Sequence, residues 1–245
     1  MPRKIGKNEE ARERSRTALL QAGADLMVEN ASRNPFGSMR LRGICERAGY
    51  STGAFYVHWD SLEEYYTTLA EHLAADENGF AADFTALEEL AKSNADADPL
   101  TAVTRVADRD FQLLLDSTLW DAMELLNITW GRTRFQAEMA HGYGLLDQST
   151  GQAYAAIFAK RNREPRPPLD WDRIGAILQG VVEGLGLRYK IDSAAVPMST
   201  DSQPGIYATA VAALLAVLTR PVGDDTNVYD AIQALFADTP NCQSR

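Results

Sequence analysis

"AGYSTGAFYVHW", residues 48–59, decides how this chain is read. Gly49, Tyr50, Ser51 and Thr52 form a short loop that runs directly into Phe55, Tyr56, His58 and Trp59. A glycine closing one short segment and a Ser-Thr pair opening the next read as a helix C-cap followed by an N-cap. Gly49 takes the left-handed conformation without steric penalty. Ile44 and Ala48 before the turn, with Phe55 after it, supply the apolar contacts that hold two short helices at an angle. The pattern is a helix-turn-helix. Its second helix opens with amides free to meet an anion, and Gly53, with no side chain, lets a phosphate or base come close. Tyr56 and His58 are expected on the exposed side, within reach of phosphates or base edges. The same pattern also describes a plain αα-corner, so the context has to decide.

Outward from the motif, nearly every segment repeats its apolar residues with a helical period, and no alternating strand stands out. The spacing predicts a first helix over 8–30, with Leu19, Ala22 and Leu26 on one stripe and Arg12, Arg14 and Arg16 off it. Short helices follow over 40–48 and 52–59. "DSLE", from Asp60 to Glu63, reads as a capping box opening a helix that carries Leu62, Tyr65, Tyr66, Leu69 and Leu73 and can run past Gly79 to Ser93. Asp98-Pro99 is a helix start. Further helices are expected over 99–115, 118–128, 132–162, 170–190, 204–219 and 226–237, with "NREPRPPLD" and "SAAVPMSTDSQPG" as loops. The fold class is all-α: an N-terminal helix-turn-helix unit over residues 1–60, or 8–75 with its connecting helix, and a larger helical bundle over 61–245.

The chain's 245 residues are enough to bury a core without disulfides. The two cysteines, Cys45 and Cys242, lack metal-type spacing, and a bridge between them is not expected. No apolar run reaches the roughly 18 residues of a membrane span, and no apolar signal core follows the basic first residues. A cytoplasmic protein without a membrane partner is expected. The net charge of −10 argues against a nucleic-acid partner until its distribution is seen. Residues 1–60 hold ten Lys/Arg against seven Asp/Glu, while 61–245 hold fourteen against twenty-seven. A basic head on an acidic body is the implied arrangement.

"LRGICERAGYSTGAFYVHWDSLEEYY", residues 41–66, resembles the DNA-binding signature of TetR-type (tetracycline-repressor-like) transcriptional regulators. The resemblance covers about residues 10–75. It implies a reading head built on the second and third helices, and a connecting helix leading to a ligand-binding and dimerising body. Carried over by position, Arg40, Arg42, Ser51, Thr52, Gly53, Tyr56 and His58 are the DNA-binding candidates. The chain departs from the family at Thr52 and Leu62, where Lys is common, at Val57, where Arg is common, and at Asp60, where Pro is common. Fewer cations in the head mean less phosphate neutralisation, which Arg3, Lys4 and Lys7, or Arg40 and Arg42, are placed to offset.

In the body, "RIGAILQGVVEGLGLRYKID" resembles the family's penultimate, dimerising helix and "GIYATAVAALLAVLT" its companion. Ile177, Gly180, Val181, Gly184, Leu214 and Val217 are the interface candidates. Gly180 and Gly184, four residues apart, would let two helix backbones approach. The resemblance also implies an effector cavity, whose candidates are the aromatic and Met residues Trp120, Met123, Trp130, Phe135, Met139, Tyr143, Tyr154 and Phe158 with Glu124 as a polar anchor; Arg132, Arg134 and His141 are further polar residues nearby. The implied partners are a palindromic double-stranded DNA operator, a second copy of the chain, and a small, largely apolar effector that releases the DNA. No cofactor, metal or catalytic residue is implied. "EMAH", Glu138–His141, is a single Glu-x-x-His where a di-iron bundle needs two. A helical ligand-binding or adaptor protein whose head no longer reads DNA is the remaining alternative.

Overall fold

The computed structural model describes residues 7–30, 39–74, 80–117, 120 and 136–237, and they form an all-α protein. The chain divides into two compact units, Met1–Asn78 with Ser117–His141, and Gly79–Asp116 with Gly142–Arg245.

In the first unit, α1 (Lys7–Asn30) packs on α2 (Leu41–Ala48), the single-turn α3 (Thr52–Phe55) and α4 (Leu62–Ala74). Leu19, Met27, Ile44, Phe55, Tyr65 and Leu69 are fully buried there. The rings of Phe55, Trp59 and Tyr65 meet pairwise at centroid distances of 5.1, 5.2 and 4.9 Å. Polar tips of these aromatics are satisfied. The Tyr65 hydroxyl donates to the Leu19 carbonyl at 2.8 Å, and the Trp59 indole donates to Thr68 Oγ1 at 3.0 Å. Gly23 makes the first of these possible, since a Cβ there would collide with the Tyr65 hydroxyl.

One expectation about this region is corrected. Ser61, not Asp60, caps α4: its hydroxyl accepts from the Glu64 amide at 3.1 Å, while Glu64 reaches back to the Asp60 amide at 2.7 Å. The Ser-Leu-Glu-Glu run is itself a capping box, one residue later than the Asp60 pairing. The following segment is helical as α4 and again as α5 (Phe80–Ser93), and residues 75–79, where one helix was expected to continue, lie outside the described residues.

The second unit contains α5, α6 (Pro99–Asp116), α7 (Gln136–Ala159) from Gly142 onward, α8 (Trp171–Ile191), α9 (Ile206–Leu218) and α10 (Val228–Ala237). The Asp98 carboxylate accepts from the Thr101 amide at 3.0 Å, so Asp98-Pro99 starts α6 as its residues suggest. Phe111, Tyr154, Ile157, Ile174, Leu178, Val182, Tyr207, Val211 and Leu215 make the core. A two-stranded antiparallel pair, β1 (Arg163–Pro165) and β2 (Thr219–Pro221), appears where only loop and helix end were expected. Prolines at 165, 167 and 168 hold the first segment out of helix, and Pro221 keeps α9 from continuing. The two extended stretches then satisfy each other's backbone, fastened by Arg163 to the Thr219 carbonyl at 2.9 Å.

Gly180 and Gly184, expected at the contact with a second copy, take no part in close packing among the described residues of the chain itself. Nothing approaches a Cβ at either position. α7 and α8 instead meet through Gly151 and Gly175, where a Cβ would run into the carbonyls of Trp171 and Asp147. Gly175→Ala should therefore lower stability by about 1–3 kcal/mol through overpacking against backbone. Gly144→Ala, on the same α7 but in open space, should be neutral or stabilising by up to about 1 kcal/mol. Denaturant unfolding of the two variants separates them.

Asp110 is the core's one buried carboxylate among the described residues. It accepts from the Tyr207 hydroxyl at 2.6 Å and from Gln179, whose amide also donates to Thr150 Oγ1 at 2.6 Å. Burial pushes its pKa up to about 6, against the opposing pull of those two donors. The folded state thus holds the proton more tightly than the unfolded chain. The resulting cost is on the order of 3 kcal/mol above about pH 6, and fades as pH falls through that value. Asp110→Asn keeps an acceptor for Tyr207 and should raise the melting temperature at neutral pH, with the gain shrinking in acid.

Candidate nucleic-acid interface

α2 begins after Arg40, held in extended conformation, and ends at Gly49, whose φ of +74° lets the Tyr50 amide reach the Cys45 carbonyl at 2.9 Å. Ser51 opens α3, its hydroxyl accepting from the Ala54 amide at 3.2 Å. The second helix is shorter than the expected 52–59. Regular helix stops at Phe55, and the chain continues to Trp59 as turns closed by His58 and Trp59 amides on the Phe55 carbonyl, at 2.9 and 3.2 Å. This places Phe55 and Trp59 inward and leaves Tyr56 and Val57 outward, 55% and 57% exposed.

Arg40, Arg42, Ser51, Thr52, Gly53 and Tyr56 are exposed and lie along α2, the turn and α3. At Gly53 a Cβ would meet only the Ser51 hydroxyl, at 3.6 Å, so the outer side of the backbone is open. Arg42 is paired with Glu46 at 2.7 Å, and that carboxylate raises its pKa. A fully exposed pair of this kind contributes little to stability, so phosphate can replace the carboxylate with small loss.

His58 is the exception. It was expected on the exposed side, but it is half-buried with Nε2 2.8 Å from Ser15 Oγ. Ser15 donates its single hydrogen to the Arg12 carbonyl at 2.8 Å, so the imidazole nitrogen is the donor in this contact. Burial first, then Arg12 and Arg16, push the His58 pKa below the ordinary histidine value, while Glu13 opposes them. Sequence reading missed this role for α1. Arg12 also donates to the Val57 carbonyl at 3.2 Å, and the Arg16 guanidinium lies 6.0 Å from the Trp59 ring centroid. The available signal was the spacing of Arg12, Ser15 and Arg16 over one helical turn, next to a motif rich in aromatics and carbonyls.

The effector candidates are not assembled by the described residues. Met123, Glu124, Trp130 and Phe135, with Arg132 and Arg134, lie outside them, as does the side chain of Met139 on α7. Trp120 and Tyr143 are half-buried, the first in the first unit and the second in the other. Tyr154 and Phe158 are buried in the second unit's core, with Phe158 stacked 6.0 Å from Trp171. His141 is exposed, and no group of three metal-ligating residues occurs among the described residues. No helix among them is long and apolar enough to cross a membrane.

The dimer candidates lie on the outer faces of α8 and α9. Gly180 and Gly184 are exposed, Ile177 is 36% exposed, and Val181, Leu214 and Val217 are half-buried. Along α9 the outward positions Ile206, Thr209, Ala210, Ala213, Leu214, Ala216 and Val217 include a single polar residue. The two helices pack on each other.

No family model matches the chain, and no curated protein matches it in sequence. Solved structures match it in fold. A Mesorhizobium loti protein assigned to the TetR family of transcriptional regulators covers 84% of this chain and 97% of its own length, at 16% identity and a TM-score of 0.57. NemR of E. coli covers 73% of this chain and 89% of its own length, at 17% identity and a TM-score of 0.51. SmeT, repressor of the Stenotrophomonas maltophilia multidrug efflux pump SmeDEF, covers 86% and 96%, at 17% identity and a TM-score of 0.50. The chain has the fold of TetR-type regulators.

The His58 geometry makes a two-signed prediction. Arg12→Gln should move the His58 titration midpoint up, and Glu13→Gln should move it further down, both read from the imidazole Cε1 proton by NMR. A common direction for the two would mean that the ring does not sit against α1.

Proposed function

We propose that the chain is a TetR-type transcriptional regulator. It binds a palindromic DNA operator as a cytoplasmic homodimer, acts as a repressor, and releases the DNA when a small, largely apolar effector enters the body. The observation that carries this is the division of labour within residues 48–59. Phe55 and Trp59 are spent on the core, while Thr52, Gly53 and Tyr56, beside Arg40 and Arg42, stand open on one surface. An αα-corner that only supports a core has no need of an exposed Tyr on a one-turn helix beside an open glycine.

Binding rather than catalysis is the role assigned. The reading head supplies cations and hydrogen-bonding groups, and a second copy supplies the matching head. Support for the dimer comes from the nearly unbroken apolar outer face of α9 beside the open glycines of α8. Two such faces about a twofold axis form an isologous four-helix contact. The fixed separation of two heads then calls for half-sites about a helical turn, or a multiple of it, apart. The effector reading is supported by the concentration of aromatic and Met residues between Trp120 and Phe158, the composition an apolar pocket requires.

The test is selection of genomic fragments with the purified chain, followed by binding measurements on variants. A palindromic site should emerge. Tyr56→Ala and Gly53→Glu should weaken binding to it with the fold intact, because Tyr56 is largely exposed and touches Phe55 only edge-on, and a Cβ at Gly53 is in ordinary contact with the Ser51 hydroxyl alone. Gly180→Leu with Gly184→Leu should give a monomer by sedimentation, with operator affinity lost. Among the described residues nothing stands within 4 Å of a Cβ at either position, so the overpacking cost of about 1–3 kcal/mol per site is assigned to the contact with the second copy. Failure of the parent to enrich any sequence would favour the helical ligand-binding protein instead.

A further inference from the structure

Four helices of the second unit converge on a polar cluster that neither the head nor the dimer face uses. α6 contributes Asp110, α7 Thr150 and Tyr154, α8 Gln179, and α9 Tyr207, all buried. Tyr207 and Gln179 donate to Asp110, yet no cation stands against its carboxylate among the described residues. The Tyr154 hydroxyl, on a residue with no exposed surface, has no hydrogen-bond partner among the described residues. Aromatic rings wall the cluster: Phe111 lies 5.3 Å from Tyr207 and 5.9 Å from Tyr189.

Two features argue against plain core. Asn in place of Asp110 would keep the Tyr207 contact without burying a charge, so the carboxylate costs stability that packing does not return. Leaving a buried hydroxyl unpaired costs a further ~1–3 kcal/mol. Both costs are offset by one kind of guest, a cation that also donates hydrogen bonds.

We propose that this cluster anchors the ammonium group of a small amine with an apolar body. Asp110 supplies the counter-charge, and Tyr154 and Thr150 accept further hydrogens. A metal ion is the poorer match, because hard cations require several oxygen ligands, carboxylates above all, and the cluster holds one. Anions are repelled by Asp110 and Asp108. The cluster is enclosed, so entry requires a side chain to turn aside, and Tyr154 is the one whose hydroxyl nothing tethers. The identification rests on the effector reading above and names the chemistry of that effector.

The experiment uses the full chain and 4-phenylbutylamine, with the neutral 4-phenylbutanol as its match, followed by calorimetry. The amine should bind about tenfold or more tightly than the alcohol, the worth of a charge-assisted contact. Asp110→Asn should abolish that preference, and Tyr154→Phe should weaken amine binding severalfold. In the unsubstituted protein, amine affinity should fall as pH drops through about 6, where Asp110 takes up its proton. Equal binding of amine and alcohol, a pH-independent amine affinity, or no amine binding at millimolar concentration overturns the proposal without recourse to any variant. The regulator reading is judged apart from it. Operator binding without amine selectivity removes the site alone, whereas amine selectivity in a chain that binds no DNA removes the regulator reading and leaves the site.

Discussion

The packing of Phe55 and Trp59 against Tyr65 is the contact on which the head depends. Their rings lie about 5 Å apart, and the Tyr65 hydroxyl is anchored on the Leu19 carbonyl through the gap left by Gly23. Three helices are thereby tied at one point. Edge-to-face and tilted aromatic pairs add about 0.5–1.5 kcal/mol each beyond burial. More consequential than the energy is the direction imposed. With residues 55 and 59 held inward, 56 and 57 have only the outside available, and the exposed surface of the turn follows from the buried one.

Charge in the head is arranged for positioning as well as for attraction. Arg12 and Arg16 sit against the Val57 carbonyl and the Trp59 ring, and Ser15 holds His58. These contacts join α1 to the segment over 51–59, and burial with the two guanidinium groups lowers the imidazole pKa. Among the described residues Arg40 and Arg42 are outward cations of this segment, with Thr52, Val57 and Leu62 where TetR-type regulators often have basic residues. Attraction for phosphate grows with each cation that displaces a counterion, so on the proposed DNA-binding reading a head of this composition gives less weight to non-specific binding.

The second unit combines tight and costly packing. Gly151 and Gly175 bring α7 and α8 to backbone contact, which leaves little room for adjustment in that layer. Within the same unit Asp110 is held in a site where its charge is poorly solvated. A core free to choose residues for stability alone would not retain that carboxylate, and costs of this kind concentrate where a protein binds something.

The local features were legible in the sequence because they are set by neighbours in the chain. Helical period, the Gly49 turn, the Ser51 cap and the Asp98-Pro99 start each depend on residues within one helical turn, and the all-α fold follows from them. The cap at Ser61 was misplaced by one residue because Asp60 and Ser61 both fit the local rule. What tertiary structure alone decided involves partners far apart in sequence. His58 faces Ser15 instead of solvent, β1 finds β2 across α8 and α9, and within the chain α7 meets α8 backbone to backbone at Gly175. Periodicity states which residues share a face of a helix, but not which helix covers that face. Gly175 and Gly180 both lie on α8, and only the packing of α7 distinguishes them. Asp110 likewise reads in sequence as one more acidic residue of an acidic body, and its burial exists only once four helices close around it.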